Sequence, residues 1–172
     1  MTTSRPAAVT LKGNPMTLLG SALQVGDRAP DFCLKAVDMS DKTLADYAGK
    51  VKIISIVPSL DTPVCDTQTR KFNEEAASLG DSVVILTVSV DLPMAQKRWC
   101  GAAGVEQVQC LSDYKDHRFG VAYGVRIEEV GLLARCVLVV GADDKIAYVQ
   151  LVGEVADEPN YEGALAAAKS LA

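Results

Sequence analysis

The sequence predicts an α/β fold, with a central mixed sheet between helices and a β-hairpin at the N-terminus. Three patterns carry that expectation. Residues 51–57 and 83–90 are continuous apolar, Val- and Ile-rich runs, as strands buried on both faces require. Between them, 65–79 places Phe72, Ala76 and Leu79 on one helical face, and Gly80 follows where a helix would end. Beyond them, two strand-like runs, 136–140 and 146–152, flank Gly141-Ala142-Asp143-Asp144. Residues 161–171 then close the chain as an amphipathic helix with Leu165, Ala168 and Leu171 inward.

The remaining elements fill in around this frame. Residues 8–19 read as a hairpin, with Gly13-Asn14 as a tight-turn signal between apolar positions. A loop at 26–30 leads into a short strand at 32–34, and 41–49 reads as a turn and a short helix ending at Gly49. Pro93 opens a short helix that runs to Cys100, with Gly101 after it; 107–111 is a short strand, and 119–123 a helical turn. Strand, helix, strand, then a hairpin and a helix, is the order of a thioredoxin-like αβα sandwich. With 172 residues and no repeat, linker or low-complexity run, one domain is expected over 1–172.

Composition narrows the function. The net charge of −5 disfavours nucleic acid and anionic membranes as partners. No stretch reaches the ~20 apolar residues of a membrane-spanning helix. The first residues are polar and lack the apolar core of a secretory signal, so a cytoplasmic location is expected. There, five cysteines point to redox or metal chemistry more than to structural bridges. A metal site is disfavoured, since no C-x-x-C pair exists and the sole histidine, His117, has no cysteine at ligand spacing. No cofactor is expected.

The chemistry concentrates where the first buried strand gives way to its helix, Pro58-Ser59-Leu60-Asp61-Thr62-Pro63-Val64-Cys65. Open α/β sheets place their sites at such carboxyl ends of strands. Cys65 falls at the start of the helix, where backbone N–H groups lack intrahelical partners and the helix dipole is positive. Both favour thiolate over thiol, and a free cysteine, ionising near about 8.5, is only about 3% thiolate at pH 7. Thr62 can cap the helix or place its hydroxyl near the sulfur, while Pro58 and Pro63 stiffen the loop. Negative charge developing on a departing oxygen calls for a cation. Arg135, at the mouth of an apolar strand, is the candidate, and strand alternation puts Cys136 on the opposite face.

The pattern Pro58, Thr62 and Cys65 resembles the peroxiredoxin active-site motif Pro-x-x-x-Thr-x-x-Cys. The segment Asp91-Leu92-Pro93-Met94-Ala95-Gln96-Lys97-Arg98-Trp99-Cys100 resembles the stretch bearing the resolving cysteine in bacterial thiol peroxidases, the atypical two-cysteine peroxiredoxins. The N-terminal hairpin, Leu132-Leu133-Ala134-Arg135 and Gln150-Leu151-Val152 are similar to the same group, so the likeness covers nearly the whole chain. The resemblance implies that Cys65 is the peroxidatic cysteine, oxidised to sulfenic acid. Thr62 and Arg135 would hold peroxide and thiolate, Pro58 would shield them, and Cys100 would close an intramolecular disulfide with Cys65. It further implies hydrogen peroxide and alkyl or lipid hydroperoxides as substrates, thioredoxin as reductant and a homodimer.

Cys33, Cys110 and Cys136 match no position of the motif; each lies in an apolar run and is expected to pack in the core. His117, in a polar stretch, is expected at the surface, and Trp99 is expected to pack. Two other functions share the starting chemistry. A protein-disulfide oxidoreductase would need a C-x-x-C partner, and Thr62 and Gln68 occupy those places. A redox sensor would use the same sulfenic acid without turnover.

Overall fold

The computed structural model describes residues 2–172. Two strands open the chain, β1 (Ser4–Leu11) and β2 (Asn14–Leu19), followed by β3 (Cys33–Ala36) and β4 (Asp41–Thr43). A 3₁₀ turn (Leu44–Tyr47) leads to β5 (Val51–Ile56), α1 (Pro63–Ala76), β6 (Val83–Ser89), α2 (Pro93–Ala103) and β7 (Gln109–Ser112). Then come α3 (Arg118–Ala122), β8 (Arg126–Ile127), β9 (Cys136–Val140), β10 (Ile146–Leu151) and α4 (Tyr161–Leu171).

Seven strands form the main sheet in the order β10-β9-β5-β6-β7-β3-β4. β5, β6 and β7 are parallel, and β9, β10, β3 and β4 complete the sheet through antiparallel pairs. A small sheet, β1-β2-β8, stands apart. This is the expected thioredoxin-like arrangement with a central mixed sheet and an N-terminal hairpin.

Alternation along β5 divides the core into two layers. Val51 and Ile53 face a cluster with Phe72 of α1 and Ala164 and Ala168 of α4. Ile54 and Ile56 face the opposite cluster, with Leu18 of the hairpin and Phe119 of α3. Lys52 shares the second face and is fully buried, and its ammonium is neutralised by Asp144 at 2.7 Å. A buried lysine is tolerated only with such a partner. Among the described residues no helix is long and apolar enough to cross a membrane.

Several expectations shift. The hairpin turns at Lys12-Gly13, one residue earlier than expected, because Leu11 pairs with Asn14 and both turn residues take positive φ (50° and 78°), as a type I′ turn requires. α1 starts at Pro63 and ends at Ala76, since Pro63 is pre-organised for a first helical turn. α2 runs through Gly101 to Ala103, and Gly104, at φ 66°, supplies the left-handed cap. Cys33 is exposed: Leu34 takes the core position of β3, so alternation turns Cys33 outward, near the sheet edge. Leu171 is also exposed, in the last turn of α4, and Ala164 and Ala168 carry the contact with the sheet. His117 is half-buried with Nδ1 3.2 Å from Arg126 Nη1, closer in than the surface position expected of it.

Glu154 clamps the hairpin to the body. Its carboxylate accepts the backbone N–H groups of Lys12 (2.9 Å), Gly13 (3.0 Å) and Ala156 (3.0 Å) and the Thr10 hydroxyl (2.8 Å). These donors, Ala156 foremost, hold its ionisation at about 2 against an ordinary 4.5. The unfolded chain therefore binds the extra proton between those values. The clamp contributes fully above pH 4.5, and its contribution is lost as pH falls towards 2. Melting temperature should fall over that window, and Glu154→Gln should flatten the profile; equal slopes would show that the clamp carries no such linkage.

Candidate active site

Cys65 is the third residue of α1, counted from Pro63, and its side chain is fully buried. Three elements converge on it. Gln68, one turn on along α1, is buried and donates from Nε2 to Ser55 Oγ of β5 at 2.8 Å. That hydrogen bond orients the amide so that its Oε1 accepts from Arg135 Nη1 at 2.7 Å. Arg135, only 2% exposed, also donates from Nε to the Val155 carbonyl at 2.9 Å. With two edges of the guanidinium fixed, Nη2 points at Cys65 Sγ, 3.4 Å away. The planar, five-donor fork of arginine suits this three-way hold; the single point charge of lysine would not.

The strand faces account for the convergence. Ser55 follows Val51 and Ile53 on the face covered by α1, and Arg135 precedes Val137 and Val139 on that same face. Cys136 turns to the other layer, as alternation predicts, and burial pushes its thiol up to about 12. Cys33, at the sheet's outer side, is raised by partial burial and by Asp41 beside it.

The loop before α1 is tied down separately. Pro58 is buried just past the end of β5. Asp91 accepts the Ser59 hydroxyl (2.6 Å), the Leu60 N–H (2.8 Å) and the Ser89 hydroxyl (2.6 Å), so the loop is held against the turn that starts α2. Thr62 takes the N-cap position with extended backbone, yet its hydroxyl donates to the Ser59 carbonyl at 2.8 Å, neither capping the helix nor reaching the sulfur. Asp61, Thr62 and Pro63 are exposed, so only a short segment separates Cys65 from solvent.

Cys100 lies in the later part of α2, half-buried. With Trp99 and Val37 it packs on a buried cluster of Val57, Leu60, Cys65 and Cys110. Trp99 packs as expected and also donates from Nε1 to Asp66 at 3.1 Å, joining the neighbours of Cys65 and Cys100. Arg70 reinforces the link, reaching Asp66 (2.9 Å) and the Ala103 carbonyl (3.1 Å). Cys110 is buried as expected, with its sulfur 3.3 Å from that of Cys100. That contact and burial raise the Cys110 thiol, while the same contact lowers Cys100, so Cys110 is the proton donor of the pair. All five cysteines are free.

Sequence reasoning brought Cys65 and Arg135 together correctly in space and missed Gln68 and Ser55. Their signal was present: a serine inside a β-branched run, and a glutamine one turn from Cys65 on the apolar side of its helix. Cys110 against Cys100 had no sequence signal, since it depends on the register of α2 over β7.

The site is thus a buried thiol facing a fixed guanidinium, at the first turn of a helix that follows a central strand. The chain belongs to the Redoxin family, whose model matches residues 24–165. It is 60% identical to a thiol peroxidase of Halalkalibacterium halodurans over 164 residues, 95% of this chain and 98% of that protein. It is 53% identical to a thiol peroxidase of Bacillus subtilis, over 96% and 98% of the two chains. A crystal structure of a peroxiredoxin-like protein from Aquifex aeolicus superposes with a TM-score of 0.90 at 44% identity, covering 98% of this chain and 99% of that one. Within its family the chain is thus a peroxidase of the peroxiredoxin kind, an enzyme that draws on thiols for reduction.

Gln68→Ala strips a buried partner from both Ser55 and Arg135. It should cost about 1–3 kcal/mol in urea unfolding and slow the reaction of Cys65 with peroxide, measured by stopped flow. An unchanged rate would show that the guanidinium needs no help from the amide.

Proposed function

We propose that this protein reduces hydrogen peroxide and alkyl or lipid hydroperoxides through Cys65, with Cys100 as the resolving cysteine. The observation that carries the reading is the Arg135 Nη2 donor on a fully buried Cys65 Sγ.

The chemistry follows from those positions. The Cys65 thiolate attacks the terminal peroxide oxygen and the O–O bond breaks, leaving an alkoxide that takes a proton and departs as alcohol or water. Arg135 faces the charge that moves from sulfur to oxygen, and because it is already fixed it requires no reorganisation. The Thr62 hydroxyl, donating to Ser59, keeps oxygen lone pairs free to accept the peroxide O–H. Pro58 closes the pocket against water. The Cys65 sulfenic acid is then attacked by Cys100; water leaves and the Cys65–Cys100 disulfide forms. Thioredoxin reopens it. The enzyme acts as a homodimer in the cytoplasm, and one domain spans residues 1–172.

The disulfide needs Cα atoms within about 7 Å. Cys65 is pinned in the first turn of α1 and Cys100 within α2, so the first turn of α1 unwinds to let them meet. With thioredoxin and its reductase, peroxide consumption should be catalytic. Cys65→Ser should abolish it, and Cys100→Ser should allow one turnover and then leave Cys65 to overoxidise. Amide protection over residues 62–70 should drop in the oxidised form. Retained turnover in Cys65→Ser would refute the peroxidatic assignment, and equal protection in both forms would refute the unwinding.

A further inference from the structure

Cys110 stands outside the chemistry assigned so far, yet its surroundings suit it to join in. Its sulfur is 3.3 Å from that of Cys100, an S–H···S contact between β7 and α2. Cys65 belongs to the same apolar cluster, so three thiols share one cluster while Cys33 and Cys136 lie elsewhere. Cys65 and Cys110 are both buried and Cys100 is half-buried, but the three differ in what they border. Cys65 is fully buried, whereas Cys100 and Cys110 line a cleft of about 420 Å³, together with Val37, Lys97 and Val108.

We propose that Cys110 is a third redox-active thiol, which takes the disulfide over from Cys65 and presents it to the reductant as Cys100–Cys110 at the cleft. The proposal rests on Cys100 being the resolving cysteine. The step is an exchange and needs no outside oxidant. Cys110 gives up its proton and attacks the Cys100 sulfur. The Cys65–Cys100 bond breaks as the Cys100–Cys110 bond forms. Cys65 leaves as thiolate facing Arg135, and one disulfide and one thiol remain throughout.

The direction of attack follows from placement, since Cys110 already touches Cys100, whose sulfur is the one attacked. In the reduced protein the contact with Cys100 and burial hold Cys110 protonated. Once Cys100 is in a disulfide its sulfur is a weaker acceptor for the Cys110 proton, and that part of the hindrance falls. The leaving sulfur returns to a prepared cationic site, which favours its departure. Exchange also restores α1 to its folded first turn while the reductant is still awaited.

The pair can be tested without the peroxidase reaction. Cys65→Ser treated with diamide, a thiol oxidant, should lose two titratable thiols per chain and yield a peptide linking Cys100 to Cys110. No such link would overturn the proposal. In the wild-type protein, one equivalent of hydrogen peroxide followed by timed alkylation and peptide mapping should show Cys65–Cys100 first. Cys100–Cys110 should follow, with Cys65 alkylatable again. A Cys65–Cys100 link that persists while Cys110 is fully alkylated would overturn the relay alone; absence of that link at every time would remove the reading of Cys100 and the relay with it. Cys110→Ser and Cys110→Ala should both hold the first disulfide and slow its reduction by thioredoxin. If Cys100→Ser formed a Cys65–Cys110 bond, Cys110 would resolve directly and the ordered exchange would fall.

Discussion

The hydrogen bond from Arg135 to the Cys65 sulfur is the constraint around which the rest of the structure is arranged. A guanidinium cannot sit 2% exposed inside a protein unless its donors are met, because the desolvation of an unpaired charge costs several kcal/mol. Here Val155 supplies a carbonyl, Gln68 supplies an amide oxygen, and the sulfur takes the remaining edge. Two neutral acceptors do not balance a full positive charge. The sulfur completes the set of partners, and the fixed guanidinium faces it directly. The same account explains why the site is buried: in low dielectric the attraction is strong, and water would weaken it.

This constraint reaches the periphery. Val155 accepts from Arg135 and, through its own N–H, donates to Thr10 of the hairpin at 2.8 Å. Glu154 beside it receives the turn of that hairpin. The small N-terminal sheet thus braces the loop whose carbonyl orients the guanidinium, so a feature remote from the sulfur contributes to its geometry. On the other side, Asp91 fastens Ser59 and Leu60, the residues leading into α1. The sulfur is held between two clamps, each made by a carboxylate that gathers backbone and hydroxyl donors.

How far this could be read from the sequence differs with the kind of force involved. Strands β5 and β6 announced themselves because burial on both faces demands unbroken apolar runs, and β9 and α4 were placed to the residue. Cys65 and Arg135 were legible because proline, helix start and strand alternation are local. The hairpin turn slipped by one residue because Lys12, which gives no turn signal, took the left-handed conformation that hairpin twist requires. Cys33 looked like a core residue in an apolar run, but only the position of β3 near the sheet edge decides which of its faces is covered. Gln68, Ser55, Asp91 and the Cys100–Cys110 contact depend on how separate elements settle against each other. No window of sequence contains that information.

The two helices that carry Cys65 and Cys100 are tied to each other at the residues beside them, Asp66 to Trp99, with Arg70 spanning the same gap. The proposed disulfide requires Cys65 to leave its pocket, and such ties run against that movement. Their placement resolves the conflict. Asp66 directly follows Cys65, Arg70 lies a turn further along α1, and Trp99 directly precedes Cys100, so the ties hold the helices in register from the end of the first turn of α1 onward. The first turn of α1 is held by Thr62 on Ser59, by the Asp91 contacts, by the Thr67 and Thr69 hydroxyls on the Pro63 and Cys65 carbonyls, and by the Arg135 donor on the sulfur itself. Local opening can then be confined to that turn, at a fraction of the global stability, while the rest of the pocket stays assembled. In the proposed cycle the aligned helices leave the released Cys65 sulfur a small volume to search for Cys100, and the Arg135 guanidinium stays in place to receive it when the proposed disulfide is reduced.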